Sequence, residues 1–152
     1  MTYFSEIVHL SDIARVHRDR CPEKKAFVFE DRVVTYKEFD INSEKVANGL
    51  VSENVAEQER VAYMDKNSDR FYELVMGCAK SNSVIVGINW RLAPPEVAYI
   101  LNDSSAKILF VGEDFFGLVE KILKDVPTIA VSYTHLRAHE TREDRVCRGR
   151  VE

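Results

Sequence analysis

The histidines and cysteines of this chain are the first places to look for chemistry. His135 and His139 stand at i, i+4, a spacing that on a helix aims two imidazoles to one side, with Glu140 adjacent and Cys147 as a possible third donor. Such a set is the raw material of a zinc site. Yet the order is neither HExxH nor a CxxC pair, so no metal ligand is assigned. His9 and His17 lie eight residues apart with no third donor and read as surface residues. Cys21, Cys78 and Cys147 are odd in number and without CxxC spacing, which indicates neither a disulfide framework nor zinc. Cys78 falls on the inner side of a helical pattern and reads as packing.

Phosphate chemistry is tested next. Gly112 and Gly117 have the spacing of a phosphate loop, but Glu113 and Asp114 would repel phosphate, and Leu118-Val119 stand where Lys-Ser/Thr is required. Gly112 therefore reads as a turn at a strand end. Asp65, Lys66 and Arg91 sit at expected strand ends, where α/β proteins bind ligands, and the plainer reading is loop-facing and helix-capping groups. The chain has no GxGxxG, no GxSxG and no acidic metal loop. Asn102-Asp103-Ser104 is a formal glycosylation sequon, expected to stay unmodified because no signal peptide precedes it. No catalytic, cofactor-binding or metal-binding residue is assigned.

The elements that must position these residues follow from periodicity. Ser11-Asp12 can cap a first helix that carries Ile13, Val16 and His17 and ends before Cys21-Pro22. Ala26–Glu30 and Val33–Thr35 predict a β-hairpin turning at Asp31-Arg32. Thr35 and Glu38 form a capping box for a long helix whose inner face is Phe39, Val46, Ala47 and Leu50. Arg60–Met64 predicts a buried strand. Ser68 then caps a helix whose face is Phe71, Leu74, Val75, Cys78 and Ala79, stopped at Ser81-Asn82. Val84–Ile88 is a continuous apolar run, the mark of a strand covered on both faces. Pro94-Pro95 opens a helix with Val97, Ile100 and Leu101 inside. Lys107–Val111 is a further strand, Phe115, Leu118, Val119 and Ile122 mark a helix against it, and Thr128-Ile129-Ala130 begins another strand. This order predicts right-handed βαβ crossovers in a parallel sheet.

Taken together, the run AKSNSVIVGINWRLAPPEVAYIL from Ala79 to Leu101, the hairpin and the Thr-Tyr-x-Glu-Phe box at Thr35 resemble the N-terminal part of the adenylate-forming ligases. That superfamily holds acyl-CoA synthetases, luciferases and peptide-synthetase adenylation domains. The resemblance spans roughly Leu10 to Val111, and Asn89-Trp90-Arg91-Leu92 is closer to the fatty-acyl-CoA synthetase branch than to the aryl-CoA ligases. It implies an α/β fold, a β-hairpin plus parallel βαβ units forming the truncated front of the larger domain. For the parent protein it implies ATP, Mg²⁺ and CoA as cofactors and a small-molecule carboxylic acid as substrate: the carboxylate attacks the α-phosphate of ATP, and the CoA thiol then displaces AMP. In that family a Ser/Thr/Gly-rich loop ending in Pro-Lys cradles the pyrophosphate, and this chain carries no such loop. The resemblance therefore implies a segment inactive by itself, with none of these cofactors expected to bind it. An aryl-CoA ligase or an amino-acid adenylation domain would share the same features. A flavodoxin-like binding module is a third reading, which expects a phosphate-binding or acidic loop at the strand ends.

Composition supports these limits. The 152 residues suit one domain, and a formal net charge of −4 argues against a nucleic-acid partner. No stretch approaches a membrane span, no N-terminal leader is evident, and a cytoplasmic setting is expected. Met1 precedes a sensible lead-in and is expected to be the genuine start. Composition changes near position 131: of the 21 Lys+Arg and 25 Asp+Glu, five arginines, no lysine and four acids fall after Ala130. Val131–Thr141 resembles the conceptual translation of a transposon-end sequencing adapter. The expected organisation is thus 1–130 as the front of an AMP-binding domain and 131–152 as a non-native, disordered tail. The last native strand of such a piece would form an unprotected edge, and aggregation is expected on expression.

Overall fold

The computed structural model describes residues 5–127 and 129–133. The described residues form two compact units, one drawn from 5–57 and 67–83, the other from 58–66, 84–127 and 129–133.

The first unit carries α1 (Asp12–Arg20), the hairpin β1 (Lys25–Phe29) and β2 (Arg32–Thr35), α2 (Tyr36–Ser52) and α3 (Asp69–Lys80). Of the expected pair Ser11-Asp12, Ser11 takes the N-cap position without a side-chain cap bond, and the side chain of Asp12 holds the start of α1. Its carboxylate accepts from the N–H groups of Val8 and His9 at 3.1 and 2.9 Å and from Arg15 at 2.8 Å, which together lower its pKa to about 2. The hairpin turns one residue earlier than expected, at Glu30-Asp31, with Glu30 in the left-handed region at φ 54°. Consequently Arg32 belongs to β2, where it pairs with Phe29. The capping box forms as predicted. Glu38 N–H donates to Thr35 Oγ1 at 3.2 Å, and Thr35 N–H donates to Glu38 Oε2 at 2.8 Å. Ala14, Val34, Phe39 and Met76 make an apolar cluster, flanked by Ile13, Ala26, Phe27 and Tyr36.

Helix α3 differs from its expected pattern. Leu74 and Cys78 are buried as predicted, but so are Asp69, Glu73, Met76 and Gly77, while Phe71, Val75 and Ala79 are half-buried. A second face of the helix is therefore covered, and it is covered by α2. A Cβ on Gly77 would lie 2.6 Å from Val46 Cβ and 3.2 Å from the Ser43 carbonyl oxygen. Only a glycine permits that approach.

The second unit carries β3 (Arg60–Met64), β4 (Val84–Gly87), α4 (Pro94–Ser104), β5 (Ile108–Val111), α5 (Phe116–Ile122) and β6 (Ala130–Tyr133), with single 3₁₀ turns at Glu113–Phe115 and Leu123–Asp125. The strands form one parallel sheet in the order β4-β3-β5-β6. Ala62 stands level with Val86 on one side and Leu109 on the other. The core on this sheet is Ala62, Met64, Ile88, Val97, Ala98, Leu101, Leu109, Val111, Val119 and Ile122. The expectation that the Val84–Ile88 run is covered on both faces is corrected. β4 is an edge strand, Val84 is 39% exposed, and Ile85 and Val86 are half-buried. An apolar run reports affinity for cover, not the cover this edge receives.

β6 takes up 130–133, so its last three residues are those where the non-native tail was expected to begin. Backbone pairing with a free strand edge does not depend on side-chain identity. Thr128 and residues 134–152 lie outside the described residues, and with them His135, His139, Glu140 and Cys147.

Candidate functional site

In a parallel sheet every strand delivers its next loop to the same edge. The loops after β3, β4 and β5 therefore gather Asp65, Lys66, Trp90, Arg91, Gly112 and Asp114 on one rim of the second unit. This is where such folds place ligands. Lys66 Nζ pairs with Asp114 at 2.8 Å and lies 5.9 Å from the centre of the Trp90 ring. Arg91 lies over the same ring at 4.1 Å, and Trp90 packs against Phe115 at 5.8 Å. One indole thus serves two cations. The Asp114 carboxylate raises the Lys66 pKa above the usual lysine range by hydrogen bonding and charge.

The backbone of the rim is pinned from below. Tyr63 Oη donates to the Lys66 carbonyl at 3.0 Å, and Asp65 Oδ1 accepts from Lys66 N–H at 2.7 Å. Gly112 N–H continues the sheet by donating to the Met64 carbonyl at 3.1 Å. A Cβ at Gly112 would meet the Asp65 carboxylate, which would have to swing aside to make room. Gly117 lies inside α5. Asn89 Oδ1 accepts from Arg91 N–H at 3.0 Å and shapes the turn that presents Trp90.

The structure therefore unites Asp65, Lys66 and Arg91, the polar residues at the expected strand ends. Among the described residues it brings no histidines or cysteines together into a ligand group. His17 is bonded to the Ile13 carbonyl at 2.8 Å and stacks on Tyr36 at 4.7 Å. Cys78 is buried, and burial pushes its thiol pKa up to about 11, against a smaller opposing hydrogen bond from Ser83. Such a thiol is a packing group, not a nucleophile. Among the described residues no group of three His, Cys, Asp or Glu is placed to hold a metal ion. Nor does the rim suit a polyphosphate: Glu113 and Asp114 flank Gly112, and Lys66 is engaged by Asp114.

Sequence reasoning missed the buried polar residues of the first unit. Asp40, 4% exposed, accepts from Lys80 at 2.8 Å and from Arg18 at 2.5 Å; Lys80 also reaches Glu44 at 3.1 Å. Asp69 accepts from Arg32 at 2.6 Å, and Glu73 accepts from Asn42 at 2.7 Å. Their signal was weak but present: two acids four residues apart on α3, Asp69 and Glu73, and a lysine, Lys80, one turn past Gly77.

The family model for AMP-binding enzymes matches residues 14–149. The chain belongs to the AMP-binding enzyme family. Within it, the chain is 39% identical over 116 residues to the fatty acid–[acyl-carrier-protein] ligase ScoC of Streptomyces coeruleorubidus, covering 76% of this chain and 22% of that protein. It is 35% identical over 103 residues to the long-chain-fatty-acid–CoA ligase FadD13 of Mycobacterium tuberculosis, covering 66% of this chain and 20% of that one. Among solved AMP-binding structures, the anthranilate CoA ligase AuaEII, in complex with anthranoyl-AMP, superposes with a TM-score of 0.77 at 30% identity, over 81% of this chain and 24% of that one. The chain thus spans about a fifth of the length of the curated AMP-binding relatives it matches, and its α/β architecture is that of their N-terminal domain. No helix among the described residues is long and apolar enough to cross a membrane.

Proposed function

We propose that this chain is the front of an ATP-dependent acyl-CoA synthetase whose substrate is a fatty or other medium-to-long carboxylic acid. In that reaction a carboxylate displaces pyrophosphate from ATP, and a thiol then displaces AMP from the acyl-adenylate. The supporting observation is the 39% identity to a fatty-acid ligase, with 35% to a long-chain one, against 29% to the 3-hydroxybenzoate/4-hydroxybenzoate ligase of Thauera aromatica. The family supplies the expectation of ATP, CoA and Mg²⁺. The rim residues fit neither the phosphates nor the metal, so no step is routed through them. Their part is architectural: Tyr63, Asp65 and Gly112 fix the strand ends, and Trp90 fixes the two cations. By this reading residues 1–130 are inactive in isolation, residues 131–152 are adapter-derived, and the enzyme works in the cytoplasm.

An aryl acid is the second reading, favoured by the fold similarity and 30% identity to the anthranilate ligase. The test begins by reading the source gene onward from the Asn89–Pro95 codons with a library method free of transposon adapters. The full-length product is then assayed for pyrophosphate release with octanoate, dodecanoate, palmitate, benzoate and anthranilate. Fatty-acid-dependent release supports the proposal, benzoate or anthranilate dependence replaces it with the second reading, and recovery of the His135–His139 codons from the genome overturns the assignment of the tail.

A further inference from the structure

Two carboxylates are buried one turn apart on α3: Asp69 and Glu73, 6% and 8% exposed. Their partners differ in charge. Asp69 Oδ1 accepts from the Arg32 guanidinium at 2.6 Å, whereas Glu73 Oε1 accepts from the neutral amide of Asn42, on α2, at 2.7 Å. A cation offsets one acid, and only an amide reaches the other. Arg70 and Arg32 act on Glu73 through space and are outweighed by its loss of water, with Asp69 adding repulsion. The other charges near this face are committed elsewhere. Asp40 and Glu44 of α2 close on Lys80, Asp40 also on Arg18, and Lys25 of β1 is exposed.

We infer that the contact between α2 and α3 is tightest when Glu73 is the neutral carboxylic acid and that ionisation of this side chain loosens it, making this helix pair a proton-held latch. The chemistry is a single proton exchanged with solvent. In the acid form the carbonyl oxygen still accepts from Asn42, and no net charge is buried beside Asp69. In the carboxylate form an ion is desolvated with one amide as its direct partner, which is costly. Burial accordingly raises the Glu73 pKa above the ordinary glutamate range. Because the folded pKa is the higher one, the native state binds more protons between the two values, and stability falls as pH rises through that window.

The experiment is peptide-level hydrogen exchange on the full-length protein, corrected for intrinsic rates, from mildly acidic to mildly alkaline pH. In the wild type, protection of the α3 peptide should fall as pH rises, while that of β3 and β5 stays level. Glu73→Gln keeps the acceptor for Asn42 and removes the titration, so its α3 protection should be flat and equal to the wild type's acidic value. A wild-type α3 that is flat or gains protection with pH overturns the inference. So does a Glu73→Gln variant that keeps the wild-type slope, or one that is unprotected at every pH, since the ionised form would then be the required one.

Discussion

The two units of this chain are built on opposite principles. The second is a parallel sheet with an apolar interior: its core cluster, from Met64 and Leu109 to Val119, is hydrophobic, and the buried Tyr63 turns its hydroxyl out to the Lys66 carbonyl at the strand end. Its charged groups, Lys66, Arg91 and Asp114, lie at the strand ends. The first unit buries Asp40, Ser43, Asp69 and Glu73 between its helices and hairpin and holds them with Arg18, Lys80, Arg32 and Asn42. An apolar interior is non-directional and tolerates changes that preserve volume. A buried polar one is directional: each group has a named partner, and loss of one strands the other. Helix pairing in the first unit is therefore specified by who bonds whom, and the sheet of the second by fill.

The sharpest break in that comparison is Asp40→Ala. Lys80, with an 11% exposed side chain, would lose its buried acceptor and keep the more exposed Glu44. Orphaning one member of a buried ion pair costs about 3–5 kcal/mol. Exchange across α2 and α3 should rise steeply while β3 and β5 peptides hold. Replacing both partners together, Asp40→Leu with Lys80→Met, should be far milder than either single change, because no buried charge is then stranded; Arg18 is 39% exposed and keeps Asp19. A double variant as damaged as the sum of the singles would show that the two side chains are not energetically coupled.

The matching probe of the second unit is Leu109→Ala. Leu109 is 0% exposed at the centre of the sheet, and truncating such a leucine costs about 2–5 kcal/mol by lost transfer energy and residual cavity. No second substitution among polar partners should rescue it, whereas a compensating increase in volume nearby should. Denaturant midpoints of the single and repacked variants are the measurement.

The same contrast explains what the sequence makes legible. Apolar periodicity places every helix and strand of both units, and turn chemistry places the capping box at Thr35 and the stop at Asn82, which takes φ 56°. The rim is equally readable, since strand ends of a parallel sheet share one side and so bring Asp65, Lys66 and Arg91 together. The second face of α3 is not readable in this way. Glu73 and Asp69 look solvated until Asn42 and Arg32 arrive from distant parts of the chain, and a period built on apolar residues counts them as outside. The order β4-β3-β5-β6 is likewise non-local: β3 is flanked by strands that follow it, and nothing within β4 marks it as the edge. The hairpin turn slips by one residue because Glu30, an unusual residue for positive φ, takes the place that Asn or Gly would have announced.

Two glycines in the first unit give a smaller and more discriminating test. At Gly49, on α2, a Cβ meets nothing within 4 Å, so Gly49→Ala should stabilise by up to about 1 kcal/mol through helix propensity alone. At Gly77 the same methyl drives into Val46 and the Ser43 carbonyl. Overpacking of about 1–3 kcal/mol there exceeds the propensity gain and leaves Gly77→Ala destabilised by about 0–2 kcal/mol. Opposite signs from one substitution, read as shifts in denaturant midpoint, would confirm that α2 and α3 approach at Gly77. Equal stabilisation at both sites would mean the helices stand farther apart in solution.

The smallest expected effect separates the frame of the first unit from its buried network. Thr35→Ala removes the acceptor that receives Glu38 N–H at 3.2 Å and the hydroxyl that donates to the Glu38 carboxylate at 2.8 Å, while the main-chain N–H of residue 35 still donates to that carboxylate. A lost N-cap of this kind costs about 0.5–2 kcal/mol. The loss should be confined to the first turn of α2, because Asp40 and Ser43 lie farther along and are held by Lys80 and by main-chain bonding within the helix. Thr35→Ser keeps the hydroxyl and should restore most of the loss. Fraying that spreads past Ser43 would instead show that the cap and the buried ion pair form one cooperative element, and would weaken the distinction between a unit held by named partners and one held by fill.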